Sequence, residues 1–329
     1  MVEFHRTTAC TNEPIFLIIR HTTVSHFVLL ISFFTEMAPK TTFYTTATDA
    51  PLDEEYHEAM NRPASVLHDF RKMASEEVGS LPPPVVDAYD ILPHDDGRGY
   101  KAFVLPNVLS HEECDDLIAA AEEYGIVAPG KEFGTPRSAK RTGNYVNEGL
   151  SDLVSSRVAP VVAAKFEAER DVADYLGPYS GIHTNWRVLR YDPGDAFPAH
   201  QDQMDTQQKV NKADGTKDLI LSSHTLLINL SRDGRHITEA SGGGATRFYP
   251  RAKMRSTAPG QYGYAVDVIL PRGWAVVFRQ HGLVHAGQPV AQSSPSCKYV
   301  AQAGVMRTLP KGQLIKPSVF RLGPGLKRP

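Results

Sequence analysis

The chain reads as a mainly β protein with flanking helices, and three observations carry that reading. From Trp186 to Arg307, short apolar runs rich in β-branched and aromatic residues follow one another at strand length. Turn formers separate most of them, as in Pro193-Gly194-Asp195, Asp233-Gly234, Gly242-Gly243-Gly244 and Pro271-Arg272-Gly273. The clearest helical periodicity is confined to two segments upstream. Strands are expected over 184–191, 197–203, 224–230, 245–249, 264–270, 274–279, 283–287 and 298–306. Eight short antiparallel strands imply a double-sheet jelly roll or a closed barrel, because either arrangement manages exposed edges.

In chain order, residues 1–36 form an N-terminal extension. Ile15 to Phe34 (IFLIIRHTTVSHFVLLISFF) is apolar, but Arg20, His21 and His26 interrupt it. A charge at mid-bilayer costs about 2.5–3.5 kcal/mol, and a span needs roughly 20 residues. No clean small-residue cleavage site follows. Three readings stay open: a disordered or loosely docked extension, a segment outside the native protein with Met37 as the start, and a signal anchor in the endoplasmic reticulum membrane.

Residues 37–97 form a helical and linker region packed on the core. Asp53 to Met73 is expected to make two short helices broken at Pro63, and Leu81 to Gly97, with five prolines and glycines among its residues, a linker. The β domain spans 98–310 and a tail 311–329. Tyr100 to Leu105 opens the domain as a strand. Ser110 with Glu113 is a capping box, so a helix runs to Tyr124, its stripe formed by Cys114, Leu117, Ile118 and Ala121. A second helix covers Leu150 to Arg170, with Leu153, Val154, Val158, Val161, Val162 and Phe166 as its buried stripe. The two helices cover one face of a sheet.

Composition excludes several classes of function. With 41% hydrophobic and 22% charged residues the chain is ordinary for a globular protein, and a net charge of -2 provides no field to attract nucleic acid or anionic lipid. Cys10, Cys114 and Cys297 are too few and too scattered for a disulfide framework or a zinc site, which favours a reducing compartment, the cytoplasm.

The chemistry concentrates in Ala199-His200-Gln201-Asp202-Gln203. In an extended strand His200 and Asp202 project from the same face, so an imidazole and a carboxylate converge. His285 is the candidate third ligand, with His281 as an alternative. Two histidines and one carboxylate with open positions is the facial triad of non-haem Fe(II) oxygenases. In Thr225-Leu226-Leu227-Ile228-Asn229-Leu230, alternation puts Thr225, Leu227 and Asn229 on one face, and an amide inside an apolar strand must find partners. His183, His224 and His236 read as structural or surface groups.

Ordered blocks from about residue 100 to 307 resemble the prolyl 4-hydroxylase branch of the Fe(II)- and 2-oxoglutarate-dependent dioxygenases. VLSHEECDDLI from Val108 to Ile118 is similar to the first helix of that family, and Arg141-Thr142-Gly143 to the segment after it. VLRYDPG from Val188 to Gly194, leading into His200-Gln201-Asp202, resembles its first metal block. GGATRF from Gly243 to Phe248 resembles its Gly-Gly-Glu-Thr strand. PRGWAVVF from Pro271 to Phe278, followed by HAGQPV from His285 to Val290, resembles its distal-histidine block.

The resemblance implies a double-stranded β-helix of the jelly-roll, cupin-like kind, with Fe(II) held by His200, Asp202 and His285. It implies 2-oxoglutarate as co-substrate with O2, and ascorbate as reductant. It assigns the distal carboxylate of 2-oxoglutarate to a basic residue on the last strand. Lys298 fits that role, with Arg307 as the fallback, and a fixed cation suits a dianion in a partly buried site. Tyr191, Thr225 and Asn229 are the further co-substrate candidates.

Three departures bear on substrate. Gln201 replaces an aromatic residue, Ala245 the glutamate and Gln288 a cysteine, changes expected to alter the walls where a prolyl peptide would lie. Met204 to Asp218 and Ile237 to Gly244 are expected to form mobile substrate lids. The expected activity is hydroxylation of an unactivated C–H bond, with succinate and CO2 as co-products. The substrate alternatives are a prolyl peptide and a free amino acid or natural product, the latter undergoing hydroxylation, desaturation or ring closure. The contrasting class is a non-catalytic metal-binding β-sandwich, against which Lys298 argues.

Overall fold

Among the described residues the first elements are strands β1 (Val66–Asp69), β2 (Tyr89–Asp90) and β3 (Ala102–Leu105). Helix α1 (His111–Tyr124), strands β4 (Ile126–Val127), β5 (Lys140–Thr142) and β6 (Tyr145–Val146), helix α2 (Glu148–Glu167) and β7 (Tyr179–Ile182) follow. The eight expected core strands are β8 (Asn185–Tyr191), β9 (Phe197–His200), β11 (Lys217–Asn229), β12 (Thr246–Tyr249), β13 (Val266–Ile269), β14 (Ala275–Arg279), β15 (Val284–Gly287) and β16 (Lys298–Thr308). Between β9 and β11 lies β10 (Thr206–Val210), which pairs antiparallel with β11. The computed structural model describes residues 66–69, 87–92, 102–128, 138–143, 145–167, 176–210, 217–231, 244–250 and 264–309.

Two sheets divide these strands. The larger runs β2-β3-β14-β11-β16-β8-β5-β4, and the smaller β1-β13-β12-β15-β9. Within the eight-strand core, every sequential connection except β12 to β13 passes from one sheet to the other. That winding is a double-stranded β-helix, a jelly roll.

Alternation along β11 decides which side chains meet between the sheets. Leu226 and Ile228 are fully buried on the outer face, in one cluster with Val154, Val158, Val162 and Phe166 of α2 and Cys114 and Leu117 of α1. Thr225, Leu227 and Asn229 therefore face the interior. The helices thus cover the larger sheet, as their apolar stripes require. Cys114 is part of this core, and burial pushes its thiol up to about 12, which leaves it unreactive.

The start of α1 ties the two helices together. Ser110 Oγ accepts from the Glu113 amide at 3.0 Å, and Glu113 Oε2 accepts from the Ser110 amide at 2.8 Å. The same carboxylate receives both terminal nitrogens of Arg157 from α2 at 2.8 Å. These Arg157 hydrogen bonds, opposed by burial, hold the Glu113 carboxyl below the usual range. Nearby, Gly273 has φ 76, and a Cβ there would meet the Leu109 carbonyl oxygen at 2.1 Å. Only glycine lets the turn before β14 approach the loop before α1 so closely.

Three expectations change. Val66–Asp69, read as helical, is a strand paired in parallel with β13, and the rest of 53–73 lies outside the described residues. Within the expected linker, Tyr89–Asp90 pairs with β3, and Ile91 and Leu92 are buried. Met204 to Asp218, read as a lid, supplies β10 and the start of β11, because its Thr, Gln, Lys and Val extend a hairpin onto an existing strand; 211–216 lie outside the described residues. Residues 1–36, 237–243 and 311–329 also lie outside them. Among the described residues, no helix is long and apolar enough to cross a membrane.

Replacing Glu113 with Gln is expected to lower stability at pH 7 by about 1.5–3 kcal/mol, the range for hydrogen bonds to a charged group. Because the folded carboxyl is the more acidic, this stabilisation is present above the unfolded value of about 4.3 and is lost as pH falls through the folded one. Urea unfolding of both chains at pH 7 and pH 3 should show the difference shrinking.

Candidate metal centre

His200 ends β9, and the antiparallel pairing of β9 with β15 sets it directly opposite His285. The two rings lie 4.3 Å apart between centroids. Asp202 follows two residues later, and one ligand atom from each of His200, Asp202 and His285 lies within 4.8 Å of the others. Asp202 Oδ1 is 3.5 Å from His200 Nε2, and Oδ2 is 3.7 Å from His285 Nε2.

Both imidazoles are oriented in the same way. His200 Nδ1 is 2.8 Å from the Pro198 carbonyl and His285 Nδ1 is 3.3 Å from that of Leu283, each two residues upstream. A carbonyl only accepts, so each Nδ1 carries the proton and each Nε2 lone pair faces the shared centre. Phe197 stacks on His200 at 4.2 Å, and the Phe278 ring packs tilted against His285 at 4.5 Å, which restricts both imidazole planes.

Electrostatics suit a cation. Burial, reinforced by His200, lowers the His285 pKa to about 4 against the pull of Asp202, so the ring is neutral at pH 7. Burial opposes the charge of Asp202, but His285, His200 and the Thr225 hydroxyl outweigh it and hold the carboxyl well below its usual range. Two imidazole nitrogens and one carboxylate, with no thiolate among them, form a donor set that fits Fe(II).

A cleft of about 400 Å³, its open mouth included, is lined by His200, His285, Tyr191, Phe278, Lys298 and Gln302 among others. Beside it a recess of about 280 Å³, lined by Asn229, Gly244 and Leu270, shares Lys298, Leu227, Thr246 and Val300 with the first. On β16 and β8 the registers Lys298↔Tyr191, Val300↔Leu189 and Gln302↔Arg187 form a ladder. Lys298 is buried, donates to the Gly244 carbonyl at 2.5 Å and lies 5.1 Å over the Tyr191 ring. Burial lowers its pKa to about 8.

The remaining candidates fall elsewhere. Thr225 reaches the centre, but its hydroxyl donates to Asp202 Oδ2. The Asn229 amide lines the recess yet donates to the Leu270 carbonyl at 2.8 Å. Arg307 is buried against the Gly177 and Leu176 carbonyls at 2.8 and 3.2 Å, under Phe166, and does not line the cleft. His281 is exposed and outside the ligand cluster. Ala245 and Gln288 are buried, joined by a 2.9 Å bond from the Gln288 backbone amide to the Ala245 carbonyl, and neither is among the residues that line the cleft. Gln201 accepts from the Gly282 amide at 3.4 Å.

Sequence reasoning missed Gln302, whose Nε2 lies 3.1 Å from Asp202 Oδ2. The signal was present, since Lys298, Val300 and Gln302 alternate onto one face of the last strand. It also missed Phe197, which reads as an ordinary strand residue until its ring lies on His200.

No family model matches the chain, and no curated protein matches it. Among solved structures, the chain is similar to the viral collagen prolyl hydroxylase of Paramecium bursaria Chlorella virus-1 in its 2-oxoglutarate complex, at 21% identity over 65% of this chain and 98% of that one, with a TM-score of 0.37. It is similar to a Pseudomonas putida prolyl 4-hydroxylase at 13% identity over 66% and 97% of the two chains, with a TM-score of 0.36. A third similar structure is HygX of Streptomyces hygroscopicus with nickel and 2-oxoglutarate bound, at 15% identity over 64% and 83%, with a TM-score of 0.36.

Mn(II) titration followed by electron paramagnetic resonance is expected to show one bound equivalent in the wild-type chain. His200→Ala, Asp202→Ala and His285→Ala should each lose it while remaining folded by circular dichroism, and His281→Ala should retain it.

Proposed function

We propose that this chain is an Fe(II)- and 2-oxoglutarate-dependent oxygenase that hydroxylates an unactivated C–H bond and releases succinate and CO2. One observation carries the reading: the cleft onto which His200 and His285 open has the buried cation of Lys298 at its other end. A non-catalytic metal site has no use for that lysine.

Bound iron would supply the oxidative decarboxylation of the keto acid and the oxidation of the C–H bond. The chain supplies the rest. His200, Asp202 and His285 would hold the metal. Lys298 takes the distal carboxylate, and a charge-assisted bond to a dianion replaces its present bond to the Gly244 carbonyl. Tyr191 supports that ammonium with its ring face. Phe197, Phe278 and Leu227 keep the cleft walls apolar and exclude water. Ascorbate acts as the external reductant.

Succinate release with a proline-rich peptide, set against a panel of free amino acids and small natural products, decides between the peptide and small-molecule alternatives. Absence of iron- and keto-acid-dependent succinate with every one, together with no uncoupled decarboxylation, overturns the oxygenase reading.

Lys298→Ala is expected to weaken 2-oxoglutarate binding on the order of 100-fold, within the range of about 2–5 kcal/mol for truncating one side of a buried charge pair. Since the ammonium is the binding form, affinity in the wild type should be highest below about pH 8 and fall as pH rises through that value. Lys298→Arg, charged throughout, should remove that fall. Isothermal titration of 2-oxoglutarate between pH 6.5 and 9.5 measures both.

A further inference from the structure

The two carboxylate oxygens of Asp202 are not equivalent. Oδ2 accepts the Thr225 hydroxyl and, at 3.1 Å, the Gln302 amide nitrogen. Both donors come from the larger sheet, Thr225 from β11 and Gln302 from β16, whereas His200 and His285 come from the smaller one. A carboxylate accepts only, so Gln302 necessarily turns its NH2 toward it. An sp² oxygen offers two lone pairs, and two donors occupy those of Oδ2. Oδ1, 3.5 Å from His200 Nε2, receives neither of these donors and remains the oxygen available to a metal.

We propose that Thr225 and Gln302 are positioning residues that hold Asp202 as a one-oxygen ligand through Oδ1, an inference that rests on the metal-centre reading above. Binding through both oxygens would take one of the three positions that a two-histidine, one-carboxylate site leaves open. A chelating keto acid together with O2 would need all three, so the number of oxygens Asp202 offers would decide whether both can be accommodated. Pinning Oδ2 from the opposite sheet prevents the carboxylate from turning about its terminal torsion to close on the metal. The two sheets therefore share the work: one supplies the histidines, and the other sets the denticity of the acid.

The test uses Co(II) alone, with no keto acid, titrated into the full chain against a fluorescent chelator while the visible d–d absorption is recorded. Gln302→Leu and Thr225→Val should each bind Co(II) 10- to 100-fold more weakly, the usual effect of losing a partner of a metal ligand, and should alter the intensity of the d–d bands. Thr225→Ser keeps the hydroxyl and should restore both readouts. If Thr225→Val does not fold, Gln302→Leu, at a half-buried position, decides alone. Wild-type affinity and spectrum in the variants that fold overturn the assignment. So does a loss of affinity that merely follows a lowered melting temperature with an unchanged spectrum. A wild-type chain that takes up no Co(II) overturns the metal centre itself. Weakened, spectrally altered variants in a chain that releases no succinate support the positioning role and remove only the oxygenase reading.

Discussion

The register between β9 and β15 is the constraint on which the centre depends. It places His285 across from His200, so two candidate ligands arrive by strand pairing alone, before any side chain has chosen a rotamer. A slip of one residue would send His285 to the outer face and bring Val284 or Ala286 inward. The outer face resists that slip, because Val284, Ala286, Ala199 and Tyr249 are buried together there. Farther along the same face Arg247 and Asp267, cross-strand partners on β12 and β13, form a buried two-bond pair at 2.6 and 2.7 Å. Breaking such a pair strands a buried charge. The packing behind the small sheet thus protects the ligand geometry in front of it.

Between the sheets, charges of opposite sign are held apart. Asp202 stays ionised near the mouth because imidazoles and a hydroxyl surround it, and Lys298 sits deeper, where burial works against its charge. Neither neutralises the other. Leu189, Val300 and Leu227 line the same cleft as Lys298 and the two histidines and keep its walls apolar. In the proposed reading a dicarboxylate would relieve the desolvation of Lys298.

Much of this arrangement was legible from residue spacing. The eight core strands and both helices stand close to their expected places, since period-two and helical alternation in an apolar chain report directly on burial. The capping box at Ser110 and Glu113 was readable for the same reason, its partners being three residues apart. The short strands at Val66–Asp69 and Tyr89–Asp90 were not, because each exists only by pairing with another strand, the first with β13 far along the chain and the second with β3 out of a proline-rich stretch. Thr206–Val210 was missed in the same way: its polar residues carry no strand signal, and the hairpin with β11 creates one.

Taken alone, the sequence determined where the core strands and helices lie and that an imidazole and a carboxylate share one strand face, because local periodicity and the two-residue spacing of His200 and Asp202 are properties of the chain itself; between a jelly roll and a closed barrel it left the choice open. Tertiary structure decided the rest. It turned Lys298 rather than Arg307 into the cavity, diverted Asn229 to a backbone carbonyl, buried Ala245 and Gln288 off the cleft lining, and brought Gln302 to the Asp202 carboxylate. Those outcomes depend on which strand lies beside which and at what register, and a hydrogen bond between residues one hundred positions apart leaves no trace in the spacing of either.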